Sequence, residues 1–199
     1  MSSGAPSLST PSATLLAQLW PAAQARGAVL RALVLIATGA ALLTLSAKIQ
    51  VPFTPVPMTM QTLVVLIIGA TYGWRLAGAT VLLYLGEGAA GLPVFAGSVA
   101  GPAYLAGPTG GFLAGFLAAA LAVGFLAERG WGRSLARIVA LMILGHAVIF
   151  ALGLGWLSLL VGPGKAWAAG GQPFLLATAL KTALAAAMMQ AGWSLARRR

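Results

Sequence analysis

Acidic residues are nearly missing from this chain: it has no aspartate, and glutamate occurs twice, at Glu87 and Glu128. With His146 as its single histidine, it cannot assemble a carboxylate pair for acid–base chemistry or a Ser-His-Asp triad. Cysteine is absent as well, which excludes disulfides, thiolate metal ligands and a cysteine nucleophile. The chain is therefore not expected to be an enzyme, and neither a metal nor a cofactor is expected in it. The scarcity extends to charge as a whole. Lys, Arg, Asp and Glu make up 7% of the 199 residues while 60% are hydrophobic; an ordinary soluble domain carries about a quarter charged residues. Such a surface cannot face water, so the chain is expected to sit in a membrane.

What is present is a series of apolar stretches, over residues 27–47, 60–73, 76–88, 112–127, 135–160 and 173–196. They predict an all-α polytopic fold: one six-helix membrane domain over 27–199 behind a tail, 1–26, that is disordered or interfacial. The second and third stretches have 14 and 13 residues, too few to cover about 30 Å of hydrocarbon at about 1.5 Å per residue. They are expected to tilt or to run into loops packed inside the protein. The connections are conspicuous. Residues 48–59 hold three prolines in six residues (Pro52, Pro55, Pro57), which forbid helix and favour extended backbone. Residues 91–111 are apolar yet broken by Gly and Pro, so they must be buried in protein or line a cavity. No internal repeat of the inverted-repeat transporter kind is evident.

The net charge of +10 has a topological explanation. With six spans, all nine arginines fall on one side, Lys48 and Lys165 fall on the other, and Lys181 lies inside the last span. By the positive-inside rule both termini are cytoplasmic and the Pro-rich, Gly-rich and Trp167 loops are external. No nucleic acid partner is needed. Nor does Gly107-Pro-Thr-Gly-Gly111 bind nucleotide phosphates, because it lacks the Gly-Lys-Ser/Thr ending of a phosphate loop.

Three ionisable groups fall in the membrane zone: Glu87, His146 and Lys181. Burying each costs at least about 2.5 to 3.5 kcal/mol, so each asks for a partner or a purpose. Lys181 is deep in the last span with Thr178 one turn before it on the same face, a hydroxyl and an ammonium for a ligand under the external loops. The bland alternative is a lysine that snorkels to the interface. Glu87, at the external end of the third span, pairs with Lys181, Lys48 or a ligand, or is a wetted interfacial carboxylate. His146 has no second histidine to form a metal set and is expected to be a satisfied interior histidine. Gln61 opens the second span, either as a ligand-facing amide or as a helix-start residue bonding free backbone groups. In the first span Ala28 with Ala32 and Ala37 with Ala41 allow close approach of another helix.

Four motifs stand in a distinctive order: Val51-Pro-Phe-Thr-Pro-Val-Pro-Met-Thr-Met-Gln61, Gly91-Leu-Pro-Val-Phe-Ala-Gly97, Gly107-Pro-Thr-Gly-Gly111, and Pro173-Phe through Lys181. Together they resemble the BioY family, the biotin-specific substrate-binding (S) components of energy-coupling-factor (ECF) transporters. The resemblance runs over nearly the whole chain. It implies six helices with external loops above a biotin pocket, in the bacterial inner membrane and surrounded by lipid. It also implies a transmembrane coupling subunit and two ATPase subunits as partners, with span one, through Ala28, Ala32, Ala37 and Ala41, docking on the coupling subunit. Lys181 matches the lysine of the family's Asp-x-x-Lys in the last helix, which contacts the biotin head group, but the aspartate position here is Thr178. Ser98 falls where the third loop commonly offers a polar contact, and Gln61, Tyr84 and Phe95 match pocket-side positions by placement. A component for another small vitamin and a ligand-free structural membrane subunit are the alternative readings, and self-assembly of the chain is left open.

Overall fold

The structure is a computed structural model that describes residues 14–21 and 25–198. Most of the expected tail, 1–13 and 22–24, lies outside the described residues. Its described part contains a short helix, α1 (Leu15–Leu19), which packs on α3 (Gln61–Tyr72) and α9 (Leu175–Ala196). The Thr14 hydroxyl caps α1 by accepting from Ala17 N–H at 3.4 Å, and Arg31 reaches down to the Leu16 carbonyl at 3.5 Å.

The remaining helices are α2 (Ala25–Lys48), α4 (Trp74–Ala89), α5 (Pro102–Ala106), α6 (Gly110–Leu126), α7 (Leu135–Val161) and α8 (Pro163–Gly170). A single π turn, Ala127–Trp131, follows α6, and one 3-10 turn, Gln172–Phe174, leads into α9. Among the described residues the fold is thus all-α apart from a two-residue antiparallel pairing, β1 (Gln50–Val51) with β2 (Met58–Thr59), in which Gln50 opposes Thr59 and Val51 opposes Met58. That hairpin closes the base of the Pro-rich loop, whose Thr54–Pro55 bond is cis.

Six spans were expected. Among the described residues four segments are long and apolar enough to cross a membrane: Gly27–Lys48, Gly110–Trp131, Leu135–Val161 and Pro163–Ala196. With 12 and 16 residues, α3 and α4 reach only about 18 and 24 Å at 1.5 Å per residue, short of a hydrocarbon core of about 30 Å. They are joined by one residue. Gly73, at φ +81°, ends α3 and starts α4, a left-handed conformation that side chains rarely adopt. The segment 161–172, expected as a connector, also differs, since α8 occupies most of it. Gly162 at φ +84° breaks α7, and Pro163 supplies the fixed φ that suits a first helical position.

The core lies where α3, α6 and α7 meet, with α2, α4 and α9 around them. Close approach of α6 to α7 depends on small residues one turn apart. A Cβ added at Gly115 would sit 2.9 Å from Ile149 Cα, so the two backbones touch there. Among the large apolar side chains facing outward are Leu30, Leu33 and Leu45 of α2 and Leu176 and Leu180 of α9.

Candidate substrate-binding site

Lys181 is the seventh residue of α9, and its side chain is directed inward: it is 8% exposed. Its Nζ donates to the Thr59 carbonyl at 2.6 Å and to Thr62 Oγ1 at 3.3 Å. The ammonium therefore ties the last helix to the junction between the hairpin and α3 and does not run outward to the interface. From Thr59 a chain of hydrogen bonds continues across the bundle. The Thr59 hydroxyl donates to Gln61 Oε1 at 3.1 Å and accepts from Gln61 N–H at 3.3 Å. Gln61 Nε2 donates to the Tyr84 hydroxyl at 2.6 Å, and that hydroxyl donates to the Val94 carbonyl at 3.3 Å. At the helix start it is the Thr59 hydroxyl that serves the Gln61 backbone N–H, and the Gln61 side chain bridges Thr59 and Tyr84, linking α3 to α4.

These groups form the polar side of a cavity beneath the hairpin. Lys181, Thr178, Gln61, Thr59 and Thr62 are among its polar lining residues, and Phe112, Phe116, Ile149, Phe150 and Phe174 among its apolar ones. Phe150 stands edge-on to Phe112 at 6.3 Å and to Phe174 at 6.4 Å between ring centres, a favoured aromatic geometry. As it stands the cavity holds about 40 Å³, room for a few waters. Above it, between the Pro-rich and Gly-rich loops, lies a surface recess of about 380 Å³. Pro57, Ala96 and Thr109 line both spaces and separate them. Tyr104 of α5 supports that partition: burial pushes its phenol above the ordinary tyrosine value, while hydrogen bonds with the Thr109 side chain and the Ala96 backbone pull the other way.

Of the residues singled out from sequence, Lys181, Thr178 and Gln61 come together on one cavity. Tyr84 and Phe95 stand one layer back. Tyr84 is fully buried behind Gln61, and Phe95, 1% exposed, lies between Tyr84 (5.5 Å, edge-on) and Tyr104 (4.8 Å, stacked). Ser98 is not brought in, being exposed on the Gly-rich loop and not among the residues of the cavity wall. Glu87 lines a surface groove with Ala37, Ala41 and Thr44 of α2 and is not among the residues of the cavity wall. Lys48 instead donates to the carbonyls of Phe95 and Gly97, at 2.7 and 3.2 Å, anchoring the Gly-rich loop to the end of α2. His146 is only half satisfied. Its Nδ1 meets the Met142 carbonyl at 3.0 Å and Thr182 Oγ1 at 3.3 Å, while Nε2, buried, has no partner among the described residues.

The four alanines of α2 do not make one face. Nine residues separate Ala28 from Ala37 and Ala32 from Ala41, which at about 3.6 residues per turn is half a revolution. Accordingly Ala37 and Ala41 are exposed while Ala28 and Ala32 are half-buried on the side of Leu35 and Gly39. Sequence reasoning missed Thr59 and Thr62, which receive the ammonium, and the phenylalanine wall; Phe112 and Phe116, one turn apart, were its legible trace.

The chain matches the BioY family over residues 15–198. It belongs to that family. Among its relatives, the probable biotin transporter BioY of Pyrococcus horikoshii is 36% identical over 151 residues, 76% of this chain and 89% of that protein. The biotin transporter BioY of Thermotoga maritima is 37% identical over 147 residues, 73% and 86% of the two chains, and that of Rhizobium etli 36% over 173 residues, 81% and 92%. The fold is similar to the crystal structure of the S-component for biotin from an ECF-type ABC transporter, with a TM-score of 0.74 at 22% identity over 84% of this chain and 93% of the other. Membership in this BioY family, together with the long apolar helices, makes the chain an integral membrane protein.

Proposed function

We infer that this chain is the substrate-binding component of a biotin transporter and not an enzyme. The observation that carries the reading is the BioY match across residues 15–198, joined by relatives named as biotin transporters over most of their lengths. Biotin is a bicycle with a ureido group and an acyl tail. In the proposed pose the ureido carbonyl accepts from the Lys181 ammonium, Thr178 and Gln61 serve the ring N–H groups, and the thiophane ring rests on the phenylalanine wall. Tyr84 and Phe95 act as supports that hold Gln61 and the Gly-rich loop in place. Ligand pockets run to about 300 Å³ or more, far above the about 40 Å³ now open, so biotin enters by displacing the partition of Pro57, Ala96 and Thr109 from the recess above. Six spans are proposed, with α3 and α4 crossing as a tilted pair about Gly73. Both termini face the cytoplasm, and a coupling subunit with two ATPase subunits supplies the energy.

A neutral hydroxyl at Thr178, where the family motif has an aspartate, favours a second reading in which another small vitamin is the ligand. Thermal unfolding of the purified protein against a panel of vitamins decides between them. Biotin alone should raise the midpoint, by an amount that grows with its concentration. A rise with a different vitamin selects the second reading, and no rise with any leaves a structural subunit.

A further inference from the structure

A second feature lies at the opposite end of the bundle from the cavity, on its outer surface between α4 and α6. A groove of about 400 Å³ runs there, floored by Ala118, Leu121 and Ala122 and flanked by the rings of Trp74 and Phe125. Both rings are exposed. Each carries an arginine. The Arg75 guanidinium lies 5.1 Å from the centre of the Trp74 ring, and that of Arg129 lies 3.2 Å from the Phe125 ring while donating to the Phe125 carbonyl at 3.1 Å. The groove is thus apolar along its length and doubly cationic at one end. The acidic side chain at this end, Glu128, is turned toward Gly73, at the α3–α4 turn; like the two guanidiniums it borders the groove and does not line it.

We propose that this groove binds an anionic phospholipid, one acyl chain lying over Ala118, Leu121 and Ala122 and the phosphate held between Arg75 and Arg129. The alanines leave a slot wide enough for a hydrocarbon chain. The flanking rings, at the level where aromatic side chains gather in membrane proteins, hold each guanidinium in place at the headgroup. Basic groups beside a groove between helices are the arrangement that recognises acidic headgroups. A second copy of the chain fits less well, because in the same membrane orientation it would bring its own arginines to the same depth. The inference does not depend on which substrate the cavity takes.

Trp74 is a built-in reporter. The full chain is reconstituted in phosphatidylcholine nanodiscs with a minor fraction of phosphatidylglycerol, with brominated acyl chains on one lipid or the other. The Trp74 signal is the emission lost in Trp74→Phe. At equal mole fraction, brominated phosphatidylglycerol should quench that signal severalfold more than brominated phosphatidylcholine. Arg75→Gln with Arg129→Gln should remove the preference, leaving the two lipids near equal. Ala122→Leu, which fills the slot and keeps both charges, should reduce quenching by either lipid. Equal quenching by the two lipids, a preference that survives loss of both arginines, or quenching that falls as the protein-to-lipid ratio rises because a second copy covers the groove would each overturn the proposal.

Discussion

Lys181 is the residue where burial, hydrogen bonding and family resemblance converge. Its ammonium is held by the Thr59 carbonyl and the Thr62 hydroxyl, and in the proposed pose the ureido carbonyl competes with them for that donor. A charge-assisted hydrogen bond contributes about 1.5 to 3 kcal/mol, so Lys181→Met, which keeps the apolar length, should weaken biotin binding by roughly 10- to 150-fold in calorimetry. Unchanged affinity in a folded protein would remove Lys181 from the site. Thr178→Ala should lose only about fivefold, as a neutral bond contributes about 1 kcal/mol. Thr178→Asp should strengthen binding by adding an anionic acceptor beside the ammonium.

At the scale of elements, the contact of α6 with α7 rests on Gly111 and Gly115, where an added Cβ would reach the α7 backbone or Trp156. Gly115→Leu should destabilise the protein by about 1 to 3 kcal/mol or more through overpacking. Gly155→Leu, on α7 with nothing within 4 Å of its added Cβ, is the matched control and should leave the thermal midpoint unchanged. Since Gly→Leu raises helix propensity at either site, similar losses in both would mean that the close approach of α6 to α7 at Gly115 is not the cause. On α2 the exposed pair Ala37 and Ala41 is the surface proposed to meet the coupling subunit. Ala41→Trp should therefore abolish co-purification of that subunit while biotin binding persists, and retention of the complex would move the interface elsewhere.

For the whole molecule the proposed six-span topology, argued from the arginine distribution, puts the Pro-rich loop and the α6–α7 connection on opposite sides of the membrane. Thr54 and Ser134 are both exposed, and the chain has no cysteine of its own. Single cysteines at these two positions should be labelled by an impermeant maleimide from the outside and the inside of the cell respectively. Labelling of both from one side would invert or break the six-span arrangement.

Composition alone determined the membrane setting, because 7% charge cannot cover a water-facing surface of this size. Local sequence determined where helices stop, since prolines at 52, 55 and 57 and glycines at 73 and 162 act through backbone geometry that needs no partner. The depth of Lys181 could be counted along its span. Which way side chains point was a tertiary matter. In lipid both faces of a helix are apolar, so the periodicity that marks the inward face of a soluble helix is erased. Tyr84 and Phe95 were recognisable as inner residues, but only the packing of α4 against the Gly-rich loop set them one layer behind Gln61. Glu87 and Ser98 were drawn toward the pocket by their place in the chain, but the packing of α4 beside α2 puts Glu87 in a surface groove, and the Gly-rich loop leaves Ser98 exposed. The partners of Lys181 lie 119 and 122 residues from it in sequence, and only the closing of α9 onto the hairpin joins them.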